Sequence, residues 1–330
     1  MKLIFTALAA LFLVACGQHK DTSRQAAGPE PRNVPGMPVV LDTDIGTDID
    51  DTWALALLLN RPELDLKLVV TDSGNTRERA RIAARYLDRV GRGDIPIGIG
   101  HSFDENPLPQ SPWAEDYDLA SYPGTIHEDG VAALVDTIMQ SPEPVVLIAI
   151  GPTPNIAEAL KREPAIAGKA RVVAMSGSVD VGYGDKPQPD AEYNVKVDPA
   201  ATRAMYEAGW DVLLAPLDTC GIIQLDGDLY QRVNTSAKPE LVALMENYRT
   251  WSGRIDWTRV DPAVQSSVLF DTLAVALAVE QSWVDVEDLR LEVTDDGFTR
   301  RSPQGPPVRA ALRWKNLDAY EQWLVDSLTR

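Results

Sequence analysis

Six short apolar runs rich in β-branched residues punctuate the chain, at 39–42, 66–71, 95–99, 145–150, 172–175 and 212–217. Each is bounded by Gly, Pro, Asn, Asp or a charged residue, and this pattern predicts β-strands. The run "VVLIAIG" (145–151) has no polar alternate, as expected of a strand covered on both faces. Between most of the runs, apolar positions recur at helical spacing: 51–59, "TRERARIAARYLDRVG" (76–91), 130–139, 155–161 and "DPAATRAMYEAG" (198–209). Strands alternating with helices predict an α/β fold, with a mostly parallel central sheet and helices on both faces, Rossmann-like in plan. Residues 283–330 predict an irregular strand region closed by the helix "LDAYEQWLVDSL".

The first residues read differently. "MKLIFTALAALFLVAC" has one early Lys, an apolar run at 3–15 and then a cysteine. This is the pattern of a secretory signal, too short and wrongly flanked for a transmembrane helix. Leu13-Val14-Ala15-Cys16 resembles the bacterial lipobox. That resemblance implies cleavage before Cys16, a lipid on Cys16, and export as a membrane-anchored lipoprotein on the periplasmic side. Gly17 follows the cysteine rather than Asp, which favours the outer membrane in a cell with two membranes. The expected organisation is a signal peptide at 1–15, a lipidated cysteine and Gly/Pro-rich tether at 16–36, and one domain at 37–330. Cys220 is the only other cysteine, so no internal disulfide is expected.

A hydrophobic fraction of 45% is ordinary for a globular protein. The formal charge of −18 disfavours nucleic acid and anionic membrane surfaces as partners, because both require a basic patch. Part of that charge is concentrated in "DTDIGTDIDD" (42–51), which holds five aspartates in ten positions with no Lys or Arg between 33 and 60. The stretch lies between a predicted strand and a predicted helix, at the carboxyl edge where open α/β sheets bind ligands. Helix capping is one reason for acids there, and Asp48 with Asp51 has capping-box spacing. Capping accounts for one or two carboxylates, each worth up to ~1 kcal/mol. The others raise one another's pKa or require a cation. With no His or Cys nearby, the donor set is all oxygen, which suits Ca2+ or Mg2+. Ca2+ accepts about six to eight oxygens and is the better match. A metal in such a site activates water, and hydrolysis is the simplest chemistry that follows.

The motif resembles the Asp-x-Asp-Pro-Gly-x-Asp-Asp signature of the inosine–uridine-preferring nucleoside hydrolase family, with Ile45 in place of the proline and two extra residues before the Asp pair. Four further segments are similar to that family's in the same order: "TDSGN" (71–75), "GPTPNIAEAL" (151–160), "AEYNVKVDPAA" (191–201) and "LFDTLAVALAV" (269–279). The resemblance implies a Ca2+-dependent hydrolysis of the N-glycosidic bond of ribonucleosides, giving ribose and free base. By the same resemblance Asp44 is general base and metal ligand. Asp51, Asp271 and the backbone carbonyl of Pro154 complete the metal site. Asp50 grips a ribose hydroxyl, Asn75 lies near the leaving base, and Asp42 shapes the turn. Glu192 and Asn194 hold the sugar; two residues apart on an extended segment, they would point the same way. A homodimer or homotetramer is also implied.

The departures concern the leaving base. The family often carries a proton-donating His before the aspartate matched by Asp271; here it is Phe270. His127 in "YPGTIHEDG", Asp185 in "GYGDKPQPDAEYN" and Asp48 are further candidates without an assigned role. Trp113, Trp251 and Trp257 are candidates for stacking on a base. Two rival readings fit parts of the chain. "LDTDIGT" also resembles the nucleophile turn of haloacid-dehalogenase-type phosphatases, and Phe270 suits a lipid-anchored nucleoside-binding protein without turnover.

Overall fold

In the computed structural model, which describes residues 36–330, the first apolar run becomes strand β1 (Met37–Thr43). Its side chains alternate between two cores: Val39 and Leu41 enter one, Val40 the other. A strand wedged between two apolar layers needs no polar alternate, which explains the continuous run. The signal peptide, Cys16 and nearly all of the tether lie outside the described residues.

The remaining strands are β2 (Leu64–Thr71), β3 (Ile97–Ile99), β4 (Ile126–His127), β5 (Val145–Ala149), β6 (Ala170–Met175), β7 (Val212–Ala215), β8 (Val284–Val293), β9 (Thr299–Arg301) and β10 (Pro307–Trp314). They form one sheet in the order β4-β3-β2-β1-β5-β6-β7-β10-β8-β9. From β4 through to β10 the neighbours pair in parallel; β8 and β9 add an antiparallel edge. The predicted mostly parallel α/β sheet is therefore the one observed. The run expected at 212–217 stops at Ala215: Pro216 turns the chain with extended backbone, and Leu217 opens a helical turn.

The helices are α1 (Asp50–Leu59), α2 (Thr76–Arg89), α3 (Gly130–Gln140), α4 (Pro154–Arg162), α5 (Tyr193–Val197), α6 (Pro199–Glu207), α7 (Leu217–Cys220), α8 (Gly227–Asn234), α9 (Pro239–Ser252), α10 (Thr272–Leu277) and α11 (Leu317–Thr329). Helix α1 is buried on every side, because its sequence "DDTWALALLL" offers no polar stripe to solvent. Trp53 at its centre is fully buried and meets Tyr248 of α9 edge-on, with ring centroids 6.4 Å apart. Helices α3, α4 and α6 contribute to the core on the opposite face of the sheet.

Strand order reverses at β1, which has β2 on one side and β5 on the other. The carboxyl ends of β1 and β5 therefore splay around a crevice, where ligands of such sheets bind. Two small features keep the strand ends close there. Gly151 has no room for a side chain: a Cβ would sit 2.8 Å from the Asp44 nitrogen and 2.8 Å from Asp72 Oδ1. Gly46 has φ +118°, a left-handed conformation that glycine adopts freely, and a Cβ there would strike Leu108.

Asn155, fully buried in the first turn of α4, ties three segments together. Its amide nitrogen donates to Asp42 Oδ1 at 2.7 Å and to the Thr71 carbonyl at 3.2 Å. Its oxygen accepts the His101 N–H at 2.7 Å. An Asn155→Ala chain leaves the Asp42 carboxyl and that N–H without these partners. It should lose about 2 kcal/mol of stability in urea unfolding; a loss within error of zero would show that water replaces the knot.

Candidate active site

The turn from Asp44 to Ile49 joins β1 to α1 above the crevice. It opens a cavity of about 820 Å³ whose wall includes Asp44, Asp48, Asp50, Asp51, Glu192 and Asp271. Asp271 arrives from more than 200 residues away, immediately before α10. The carboxylate oxygens of Asp50, Asp51 and Asp271 lie within 4.8 Å of one another, and all three residues are buried. The Thr43 hydroxyl donates to Asp51. The carboxylates of Asp50 and Asp271 receive no hydrogen bond from another described residue.

Burial raises the pKa of every one of these acids, and the neighbouring carboxylates raise most of them further. Asp50, Asp51 and Asp271 are pushed well above the usual carboxylate range. Asp48 rises to about 6 and Glu192 to about 7, each chiefly by burial. For Asp44 the same burial effect is opposed by Arg79. This donor set fits a hard divalent cation: it is all oxygen, its oxygens lie close enough together for one ion to reach them all, and it is short of internal hydrogen bonds.

Helix capping does not explain the cluster. The N-cap of α1 is Ile49, in helical conformation and without a side-chain cap, so the capping box expected from Asp48 and Asp51 does not form. Asp48 instead accepts the adjacent Ile49 N–H at 2.6 Å. The extended segment expected at 192–194 is also corrected. Glu192 caps the short helix α5, accepting the N–H groups of Asn194 at 2.7 Å and Val195 at 3.3 Å, and that of Gly177 at 3.0 Å. Asn194 sits in the first turn, its amide donating weakly to the Ile150 and Met175 carbonyls. Both residues still line the cavity.

Other candidates are placed elsewhere. Pro154 opens α4, and Asn75 is the N-cap of α2, accepting the Glu78 N–H at 3.1 Å. His127 is half-buried in β4, and Asp185 is an exposed turn residue with φ 59°. None of these four is on the cavity wall. Trp113 is buried beneath the Arg85 guanidinium, and Trp251 is core, donating to the Thr47 carbonyl at 2.8 Å. Trp257 alone of the three reaches the cavity. Phe270 lines it too, edge-on to Tyr183 with centroids 6.0 Å apart.

Two buried charged residues escaped the motif reading. Arg79 of α2 is 3% exposed. Its guanidinium bonds the carbonyls of Asp44, Ile45 and Ser73, and Nη2 lies 3.9 Å from Asp44 Oδ2. It shares the apolar face of α2 with Ile82, Ala83 and Tyr86, three, four and seven positions on. A lone arginine in an apolar stripe was the available signal. Asp72, fully buried, faces Asp42 under the turn; none of the described residues donates to either of its oxygens. Burial holds Asp72 far above its usual pKa and brings Asp42 to about 7, so the pair retains a proton near neutrality.

Comparisons with known proteins agree with this geometry. The model of the family described as inosine-uridine preferring nucleoside hydrolase matches residues 39–318, and the chain belongs to that family. The chain is 32% identical over 228 residues, 66% of its length and 73% of the relative's, to a non-specific ribonucleoside hydrolase RihC of Klebsiella pneumoniae. A protein of the same name from Salmonella paratyphi B is 33% identical over 229 residues, with the same shares covered. Among solved structures, the fold is similar to a plant nucleoside hydrolase, the PpNRh1 enzyme, with a TM-score of 0.76, 22% identity and coverage of 89% of this chain and 99% of that one. A purine-preferring ribonucleoside hydrolase from Gardnerella vaginalis gives a TM-score of 0.71 at 22% identity, covering 88% and 98%. The protein is an enzyme, a nucleoside hydrolase, and the phosphatase reading is set aside.

The raised carboxyls make metal-free stability depend on pH. Between the ordinary carboxylate range and pH 6–7 the folded state binds more protons than the unfolded state, as Asp48 near 6 and Glu192 near 7 require. Stability must therefore fall as pH rises through that window. In EDTA the melting temperature should be higher at pH 5 than at pH 8, and a divalent cation should raise it more at pH 8. A melting temperature that climbs from pH 5 to pH 8 in EDTA would contradict this electrostatic picture.

Proposed function

We propose that this domain hydrolyses the N-glycosidic bond of ribonucleosides in a Ca2+-dependent reaction, with Asp44 as general base. The observation that carries the reading is the convergence of Asp50, Asp51 and Asp271 within 4.8 Å beside Asp44, in a cavity whose wall also presents Glu192 and Asn194. Asp51 and Asp271 are the ligands assigned to Ca2+ alongside Asp44. The position of Asp50 in the tight triad adds it to that set, next to its expected grip on a ribose hydroxyl. When bound, Ca2+ polarises a water and lowers its pKa.

The chain's own groups supply the rest. Asp44 accepts the proton of the attacking water. Arg79, bonded to the Asp44 carbonyl and 3.9 Å from its carboxylate, keeps that residue aimed and favours its ionised form. Glu192 is held by three backbone N–H groups; it and Asn194 hold sugar hydroxyls without needing to move. Breaking the C1′–N bond builds positive charge on the sugar, and fixed carboxylates around it stabilise that charge. The names of the bacterial relatives support a substrate range within ribonucleosides. With Cys16 lipidated, as its lipobox motif suggests, the reaction takes place outside the cytoplasm.

Ribose release, read as reducing sugar, tests the proposal. EDTA should abolish it and Ca2+ should restore it. Asp44→Ala should lower turnover by about 10³-fold with an unchanged circular-dichroism spectrum. Near-normal rates in that variant would overturn the assignment, and nucleoside binding without ribose release would favour a receptor.

A further inference from the structure

The outer part of the cavity differs from its floor. Asp44, Asp50, Asp51, Glu192 and Asp271 are 2–6% exposed, whereas Tyr193 and Trp257 on the rim are 48% and 52% exposed. Tyr183 and Phe270 continue this aromatic wall. No His, Lys or Arg lines the cavity among the described residues. Apart from the weakly acidic Trp257 indole and the Thr258 and Ser267 hydroxyls, the groups of this wall with a proton are the two phenols. The Tyr183 hydroxyl accepts the Tyr193 N–H at 2.9 Å. Burial raises both phenols above their ordinary pKa, which makes them still weaker acids.

A neutral nucleoside loses its base as an anion unless something protonates it. Apart from its carboxyl groups, the described wall offers no efficient donor. Six acids in the wall also leave the cavity strongly electronegative, even beside a divalent ion. Acidic surroundings and exposed aromatic faces together favour a cationic ring, through simple attraction and cation–π contact.

We propose that the preferred substrates are ribosides whose ring nitrogen is already quaternised, N-ribosylpyridinium compounds, the leaving ring sitting between Trp257, Tyr193 and Phe270. The inference rests on the hydrolase reading and narrows it. The water oxygen bonds to C1′ as the C1′–N bond breaks. The bonding pair stays on the ring nitrogen, which passes from cation to neutral pyridine. The water's proton goes to Asp44 and on to solvent. Ribose, a neutral pyridine and one proton are the products, and no leaving-group acid is used.

The test compares ribose release from the riboside of 3-carbamoylpyridinium with that from inosine and uridine, using the Ca2+-supplemented protein. The expected kcat/KM for the pyridinium riboside is roughly 10² times that of either neutral nucleoside, the size of contribution a missing general acid makes. Phe270→His, which supplies an acid, should narrow that ratio at least about tenfold. Trp257→Leu should raise KM for the pyridinium riboside about fivefold and change KM for uridine less. Melting curves establish that each variant is folded; should Phe270→His not fold, the wild-type ratio and Trp257→Leu decide. Inosine or uridine cleaved as efficiently as the cation, or a Trp257→Leu chain with unaltered KM for the cation, would overturn the substrate class and leave the hydrolase reading standing. Ribose released from none of the three would overturn both.

Discussion

Mutual repulsion among buried carboxylates is the constraint around which this molecule is arranged. Asp44, Asp50, Asp51 and Asp271 share one end of a crevice, with Asp42 and Asp72 fully buried beneath them. Each is deprived of water, and most are raised further by their neighbours. Such a set is unfavourable for the folded state near neutral pH unless protons or cations neutralise it. Part of the answer is internal. Arg79 supplies a fixed positive charge, and the Asp42–Asp72 pair retains a proton. No Lys or Arg lines the cavity beside the triad among the described residues, which is why a bound divalent ion is the natural complement.

The fold makes this arrangement tolerable by rigidity. The acids sit on the strand ends and first helical turns of an α/β sheet rather than on free loops. Helix α1 behind them is buried throughout, and Gly151 lets β5 approach the Asp44 backbone closely. Asn155 binds Asp42, Thr71 and the loop after β3 into one unit. Carboxylates held this firmly cannot turn away from one another. Their free energy is recovered when a cation and a developing positive charge on the sugar enter the site, which is electrostatic preorganisation in its plainest form.

Much of this was legible in the sequence, and the rest was hidden for physical reasons. The strand runs and the 76–91 helix follow from periodicity. The acidic turn announces itself because five charges in ten residues have no local partner. The link to Asp271, far along the chain, came through the family resemblance, and the structure brings the two together. Arg79 was marked only as an arginine within an apolar stripe of α2; its partner was not legible, since long-range pairing with a turn depends on how α2 lies across the sheet. Asp72 follows directly after β2, and only the pairing of β2 with β1 places it beside Asp42. Capping by Asp48 failed because Ile49 takes the cap position with helical backbone, a detail of turn geometry that spacing does not encode. Trp251 and Trp257 are six positions apart, yet one is core and the other exposed; only the packing of α9 distinguishes them.

The central claim is that the carboxylate triad is a cation site whose acids are partly protonated when the cation is absent. Calorimetric titration of the metal-free protein with Ca2+ near pH 6.5, repeated in buffers of different ionisation enthalpy, measures both the binding and the protons exchanged. The account predicts one ion per chain with net release of at least one proton, since ligation favours the ionised carboxylates. Failure to bind Ca2+, or binding with no proton release, would contradict it.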